Sequence, residues 1–343
     1  MSSEHRGQAI IGEAPVFLEM LEHVSRAAPL GKPVLVVGER GTGKELVAAR
    51  LHFLSQRWEQ PLVKVNCAAL TESILESELF GHEAGAFTGA VKAHTGHFER
   101  ADGGTLVLDE LATISLRMQE KILRVIEYGE LQRVGGTETL RVNVRIVGST
   151  NADLRKLVSD GAFRDDLLDR LAFDVITVPP LRERTEDILP LAYAFAMNMV
   201  SELQQPLFPG FTARASSALL RNEWPGNVRE LKNAVERSVY RAENLDEPIN
   251  EIAFDPFDSP FRLDTPTSES KSAPADEQAP TGREPLLPAN LDAELKKTEL
   301  SLLRAALKKA RYNQKVAADL LGLSYHQLRG RIRKHGMHFG SNQ

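Results

Sequence analysis

The sequence predicts a parallel α/β domain, then a smaller helical subdomain, a linker and a small all-α domain. Three observations predict it. Short runs rich in Val, Leu and Ile alternate with helix-like stretches: Pro33 to Val37, Leu62 to Val65, Thr105 to Leu108 and Val142 to Val147. Buried strands alternating with helices are the pattern of a parallel sheet. From about Arg182 to Arg241 the strand signal stops and helical patterns dominate. From Asp255 to Asn290, seven of 36 residues are proline, and Ser, Thr, Asp and Glu fill much of the rest. Such a stretch buries too little apolar surface to offset its chain entropy, so it reads as a flexible linker. The expected divisions are residues 1–177 for the α/β subdomain, 178–254 for the helical subdomain, 255–290 for the linker and 291–343 for the C-terminal domain.

Composition bounds the class. The 343 residues allow two or three domains, and 42% hydrophobic with 26% charged residues is ordinary for a globular protein. The formal net charge of −5 means that any nucleic-acid affinity comes from a local patch. A single cysteine, Cys67, excludes an intrachain disulfide. Met1 to Gln8 is polar and lacks the apolar core of a signal peptide, and no apolar run is long enough to span a bilayer. The expectation is a soluble cytoplasmic protein with no membrane insertion.

The first strand runs into Gly38-Glu39-Arg40-Gly41-Thr42-Gly43-Lys44, a G-x-x-x-x-G-K motif that opens the helical run Glu45 to His52. This strand–loop–helix context is the one in which glycines let backbone N–H groups close around phosphate oxygens at a helix N-terminus. Lys44 would reach the β- and γ-phosphates of ATP. Glu45 stands where Ser or Thr usually binds Mg²⁺. Either the metal is held through Thr42, Asp109 and water, or the site is degraded. The third strand ends in Asp109-Glu110, where open α/β sheets bind ligands. Asp109 suits Mg²⁺ and Glu110 suits polarisation of an attacking water. The last strand ends in Ser149-Thr150-Asn151, polar groups able to sense a γ-phosphate, although such residues are also common turn formers.

These motifs, in this order, resemble the AAA+ domain of bacterial enhancer-binding proteins, the sigma-54-dependent transcription activators, over about Ile11 to Phe254. The most specific match is Gly85-Ala86-Phe87-Thr88-Gly89-Ala90, the GAFTGA loop with which that family engages sigma-54. Val65 to Leu70, Phe163 to Arg170, Pro180 to Arg184 and Trp224 to Leu231 match as well. The fold implied is a P-loop AAA+ ATPase core with a helical lid and an all-α Fis-type helix-turn-helix domain. In that family a Glu after the P-loop lysine is usual. The resemblance implies that Asn66 holds Glu110 away from water until the nucleotide state changes. It makes Thr150 and Asn151 sensor I and Arg229 sensor II. Arg164 and Arg170 become arginine fingers acting on a neighbouring subunit's ATP in a hexameric ring, with a dimer as the resting alternative. By the residues alone, both arginines could instead pair with Asp165, Asp166 or Asp169. The family members most similar to this chain lack a receiver or sensor domain ahead of the ATPase and serve phage-shock, or membrane-stress, operons.

The GAFTGA loop has the make-up of a moving contact. Gly85 and Gly89 permit unusual backbone angles, and Phe87 between small residues would be an exposed apolar tip.

After the linker, Asn313 to Lys334 reads as helix, turn at Gly322, helix, with Val316, Ala317, Leu320 and Leu321 as the packing face of the first helix and Ser324 as N-cap of the second. From Arg311 to His335 six Lys or Arg stand against one acid, Asp319, a local balance of +5. Such a patch favours duplex phosphates. The second helix would place Tyr325, His326, Gln327 and Arg329 near bases, with Arg331, Arg333 and Lys334 completing the basic face toward double-stranded enhancer DNA. A helical hairpin for protein contacts is the competing reading. Leu291 to Ala310 has the leucine spacing of a dimerisation helix.

Other signals carry less. His94 and His97 are close in sequence, but with no Cys or nearby acid they form no metal site, and Glu99 and Asp102 read as solvated. Cys67 reads as a buried small residue. Trp58, among charged residues, is either an exposed anchor or a cover for the sheet edge. As an anchor it would bind a negative regulator, for which the resemblance points to the phage-shock protein PspA. The function expected is ATP-driven remodelling of the sigma-54 RNA polymerase closed complex. The alternatives are a DNA-binding regulator with a non-motor AAA+ domain, or another AAA+ remodeller.

Overall fold

The computed structural model describes residues 10–242, 244 and 246–257 and, within 299–334, all but 300–301, 304–305, 308, 311–313 and 324. They belong to two compact units, Met1–Leu263 and Asp264–Gln343. Most of the expected linker lies outside the described residues. Residues 255–257 remain against the first unit, where Arg241 Nη2 donates to Pro256 O at 3.3 Å.

The first unit opens with α1 (Pro15–Ala27), whose proline sits in the first turn, where its missing N–H costs nothing. Then follow β1 (Val34–Val37), α2 (Lys44–Phe53), β2 (Leu62–Asn66), α3 (Glu72–Phe80), α4 (His97–Arg100), β3 (Thr105–Asp109), α5 (Leu116–Tyr128), β4 (Glu130–Leu131), β5 (Leu140–Arg141), β6 (Arg145–Thr150), α6 (Leu154–Ser159), α7 (Asp165–Leu171) and β7 (Val175–Thr177). The main sheet has the order β2-β3-β6-β1-β7, and every neighbouring pair in it is parallel. Its side chains alternate between two cores, as the two-residue period of a strand requires. Leu35, Leu106, Leu108 and Ile146 face α3, α5 and α7, while Val34, Val36, Val107 and Val147 face α1 and α2.

Two strand expectations need correction. The last inner strand starts at Arg145, not Val142, because residues 142–144 turn away: Val142 N donates to Gly129 O and Asn143 O accepts from Arg57. The edge strand β7 and the β4–β5 hairpin were not anticipated. Both are too short to show an apolar period.

Arg145 is buried, with no carboxylate partner among the described residues. Its guanidinium donates to Ala28 O (2.7 Å), Ala27 O (3.0 Å), Lys32 O (3.2 Å) and Leu51 O (3.4 Å). A cation at the C-terminal ends of α1 and α2 meets the negative poles of both helices. Burial pulls its pKa down to about 10, so it stays charged at neutral pH.

The helical subdomain comprises α8 (Ile188–Glu202), α9 (Ala213–Arg221) and α10 (Asn227–Arg241) around Leu191, Leu219, Trp224, Leu231 and Val235. Trp224 is buried with Nε1 donating to Leu219 O at 2.9 Å. That anchor holds a turn in which Trp224 (φ 51°) and Asn227 (φ 52°) both adopt positive φ, a conformation of sparse population for a bulky residue.

In the second unit, α11 (Gln314–Leu320) and α12 (Tyr325–Lys334) pack on Leu303, Ala306, Leu307 and Ala310. The turn between them has Gly322 at φ 62°. The packing face of α11 is Ala317 and Ala318, joined by Leu321 in the turn after it; Val316 and Leu320, expected inside, are exposed. Leu303 and Leu307 fill the core of their own unit, which removes them from a dimerisation seam, whereas Leu302 is exposed. Leu291 and Leu295 lie outside the described residues.

Arg145→Met removes the donor from up to three carbonyls, since Ala27 O keeps the Leu30 N–H, and loses about 3 kcal/mol of stability by the usual cost of buried unpaired groups. Chemical denaturation checks this, and a midpoint matching wild type would contradict it.

Candidate functional site

The sheet register brings the expected groups together. Val37 is level with Thr150, and Asn66 with Asp109, so β1, β2, β3 and β6 end at one edge. The phosphate loop curls there from Gly38 to the start of α2. Gly41 (φ 79°) and Gly43 (φ 99°) take left-handed conformations, and a Cβ on Gly41 would lie 2.3 Å from Gly226 O. Lys44 Nζ donates to Gly38 O (2.9 Å) and Glu39 O (3.1 Å). Burial pulls its pKa down, against the opposing charges of Glu110 and Asp109.

Asp109 Oδ1 accepts a short hydrogen bond from Ser149 Oγ, and its Oδ2 accepts from Asn66 Nδ2 at 3.4 Å. Asn66 thus meets Asp109 and not Glu110. The two share a register position, while Glu110 leaves the strand in a left-handed conformation (φ 53°, ψ 42°). Strained residues of this kind cluster at functional sites. Thr150 is buried; its Oγ1 accepts from Ala152 N and its carbonyl accepts from Gly38 N, while Asn151 is exposed. Among the described residues no group of three or more His, Cys, Asp or Glu is placed to hold a metal ion. Asp109, at the strand end beside the phosphate loop, is a donor of the kind magnesium uses, which takes one or two carboxylates plus phosphate oxygens and water. Thr42, expected as a second ligand, is buried and donates its hydroxyl to Glu39 O at 2.9 Å. Glu45 instead pairs with Lys64 at 2.9 Å.

The helical subdomain reaches this loop through residues that sequence reasoning did not single out. Arg182 donates to both Glu39 oxygens (2.8 and 2.5 Å), and Asn227 Nδ2 donates to Glu39 Oε2 (3.2 Å) and Arg40 O (3.1 Å). Those two partners, Arg182 first, hold the Glu39 carboxyl down at about 2. Arg229 N donates to Gly41 O (3.3 Å), with its side chain exposed. Arg182 and Asn227 lie inside matched motifs; the signal was there, but chain-distant pairing is invisible in a sequence.

The loop at 85–90 projects from a neck made by His82 and His94, which exchange both backbone hydrogen bonds. Gly85 (φ 82°) and Gly89 (φ 106°) turn it, Gly85 N closes it on Ala90 O at 2.7 Å, and Ala90 is buried. Phe87 is 49% exposed, its ring 5.0 Å from His82; Val91, not anticipated, is 85% exposed. Ala86 packs against Gly135, and Thr88 is exposed.

In the second unit Tyr325, His326, Gln327, Arg329 and Arg331 are exposed on α12, with Leu328 and Ile332 inward. Arg331 Nη1 pairs with Glu299 Oε1 at 2.5 Å. Ser324 and the side chains of Arg333 and Lys334 lie outside the described residues.

Three family models match this chain: the sigma-54 interaction domain over residues 10–177, the AAA+ ATPase lid domain over 182–272, and the bacterial regulatory protein, Fis family, over 294–335. The Psp operon transcriptional activator of Escherichia coli (strain K12) is 58% identical over 327 residues, covering 95% of this chain and 97% of that one. The chain belongs to the sigma-54-dependent transcription activators. The Nif-specific regulatory protein of Azotobacter vinelandii is 44% identical over 330 residues, 96% of this activator but 59% of that protein. The crystal structure of NtrX from Brucella abortus in complex with ATP matches with a TM-score of 0.67 and 30% identity, covering 97% of this chain and 71% of that one. The α/β core, lid and helix-turn-helix of the activator are therefore those of an AAA+ enhancer-binding protein.

Other expected groups of the activator fall as follows. Arg164 forms a two-pronged ion pair with Asp166 (3.0 and 2.6 Å), one of the acids weighed against a finger role. Arg170 pairs with Glu127 on α5 at 2.8 Å, not with a nearby Asp. Trp58 is 57% exposed, beside Arg57, which donates to Gly104 O and Asn143 O. The expectation that no acid lies near His94 and His97 is corrected: Glu78 Oε2 is 3.6 Å from His94 Nε2 and 3.4 Å from His97 Nε2. Glu99 is not solvated; it binds Arg133 at 2.7 and 3.0 Å, and Asp102 accepts from Asn143 N at 2.7 Å. No helix among the described residues is long and apolar enough to cross a membrane.

Cys67 is buried behind Asp109, its N–H on Asp109 O, and burial with the charges of Asp109 and Glu110 pushes its thiol up to about 12. A thiol reagent at pH 8 will leave it unmodified in the native activator and react fully after denaturation; rapid native labelling would contradict this.

Proposed function

We propose that this activator hydrolyses ATP in an oligomeric, hexameric ring and uses that work to convert the sigma-54 RNA polymerase closed complex into the open complex. The observation that carries the reading is the convergence of Lys44, Asp109 and the strained Glu110 at one sheet edge in a chain that also holds an intact GAFTGA loop. Backbone N–H groups of residues 38–45 and Lys44 bind the β- and γ-phosphates. Asp109 holds Mg²⁺, which when bound neutralises phosphate charge. Glu110 polarises the attacking water, and Asn66, with Thr150 and Asn151, reads the γ-phosphate from the adjoining strand ends. Asn66 bears on Glu110 through the neighbouring Asp109.

Arg164 and Arg170 serve the neighbouring subunit's ATP. Arg170 is exposed and Arg164 half-buried, and their present pairs with Asp166 and Glu127 are surface ion pairs of the kind that exchange readily. Arg229 approaches the same nucleotide from the lid. Phe87 and Thr88 meet sigma-54. The second unit reads upstream enhancer DNA through α12, on which Tyr325, His326, Gln327 and Arg329 are exposed. The similarity to the Psp operon transcriptional activator supports a phage-shock operon as the target and a cytoplasmic location, and the exposure of Trp58 supports a contact with a negative regulator such as PspA.

Open-complex formation on a sigma-54 promoter tests the reading. Glu110→Ala will keep nucleotide binding but lose about 10²- to 10⁴-fold in turnover, the usual worth of a general base. Thr88→Ala will hydrolyse ATP without opening the promoter. An activator that turns over ATP yet opens no sigma-54 promoter would overturn the proposal. For the DNA unit, Arg329→Ala will weaken enhancer binding and reduce the salt slope by about 1 if it contacts phosphate; an unchanged slope and affinity would remove Arg329 from the interface.

A further inference from the structure

The segment joining core and lid carries a buried ion pair to which the mechanism above gives no role. Arg184 is 1% exposed, and Asp187 is fully buried. The Arg184 guanidinium donates from Nη2 to the Thr42 carbonyl at 2.9 Å, inside the phosphate loop. Its Cζ lies 4.5 Å over the ring of Phe17 in α1, and Nη1 is 4.0 Å from Asp187 Oδ2. Asp187 Oδ1 in turn accepts the backbone N–H groups of Glu13 (2.6 Å) and Ala14 (2.8 Å), at the start of α1. A Cβ on Gly12 would sit 2.3 Å from the Phe17 ring and 2.8 Å from Asp187 Oδ2, so the unit is closed to contact.

Stability alone explains this arrangement poorly. Arg184 Nε and Asp187 Oδ2 are buried without a hydrogen-bond partner among the described residues. A buried pair with unsatisfied atoms is commonly no better than apolar side chains of the same volume. What an arginine supplies that they cannot is a donor aimed at the loop backbone. The Thr42–Gly43 peptide is planar, so its C=O and N–H point in opposite directions. Fixing the Thr42 carbonyl on the Arg184 side therefore turns the Gly43 N–H to the opposite side, away from Arg184. Gly43, at φ 99°, is the residue whose conformation makes that turn.

We propose that Arg184 is a positioning residue for phosphate binding: its grip on the Thr42 carbonyl aims the Gly43 N–H at the nucleotide phosphates, and Asp187 ties that grip to the start of α1. The phosphate loop, the N-terminal segment and the lid then share one buried joint. The proposal rests on the ATPase reading and deepens it. Arg182, two residues earlier, holds the Glu39 side chain of the same loop from the surface.

The test uses the full chain with Arg184→Gln and Arg184→Lys, and reads the ATP KM, kcat and the affinity for a fluorescent ADP. In Arg184→Gln the KM for ATP and the Kd for ADP rise about tenfold, the scale of one lost oriented donor, while kcat stays within about threefold. Arg184→Lys, which keeps one cationic donor, falls between Gln and wild type. A merely structural role gives the opposite split, with a smaller active fraction, lower kcat and unchanged KM and Kd; that outcome, or no change at all, overturns the inference. If Arg184→Gln does not fold, the Lys variant alone decides by the same split. Wild type that binds ADP but never hydrolyses ATP defeats the ATPase reading, whereas hydrolysing wild type with unaltered ADP affinity in both variants defeats only this inference.

Discussion

Parallel register at one sheet edge is the constraint from which the catalytic half is built. β1, β2, β3 and β6 run the same way and stop at matched positions, so the peptide after each strand opens into the same cleft. The phosphate loop, Asn66, Asp109 with Glu110, and Thr150 are neighbours for that reason alone. The alternation of side chains along those strands buries two apolar cores, and the buried guanidinium of Arg145 closes the ends of α1 and α2 beneath them. A one-residue slip of β3 would send Leu106 and Leu108 to the wrong core and carry Asp109 off the site.

The lid bears on the same edge, through polar contacts to backbone as much as to side chains. Arg184 on Thr42 O, Asn227 on Arg40 O and Arg229 N on Gly41 O all take hold of the phosphate loop itself. At the same edge Asp109 accepts from Asn66 and Ser149, which ties the end of β3 to those of β2 and β6. The GAFTGA loop follows α3, the element after β2, and stands on a neck braced by Arg133 with Glu83 and Glu99.

Local pattern made the architecture legible, and distance in the chain hid the rest. The G-x-x-x-x-G-K motif, Asp109-Glu110 and the GAFTGA loop each announce themselves within a few residues. The composition of the region after Asp255 separates the DNA-binding unit as plainly. Hidden were contacts made across the chain: Glu39 with Arg182 and Asn227, Arg184 with Thr42, Glu78 with His94 and His97. Three-residue β7 shows no period, and α11 packs through small Ala317 and Ala318 while Val316 faces out. Asn66 shows the limit of a resemblance. Its side chain meets Asp109, the carboxylate level with it in the sheet.

The central claim is that nucleotide state moves the GAFTGA loop relative to the ATPase core. Distances between spin labels at Val91→Cys and Tyr128→Cys test it directly, since both native residues are exposed and Cys67 is buried. With labelled subunits diluted into unlabelled ones, the account predicts distance distributions that differ between ADP and a non-hydrolysable ATP analogue, and a Glu110→Ala ring held with ATP in the analogue's distribution. One unchanging distribution in every nucleotide state would contradict it.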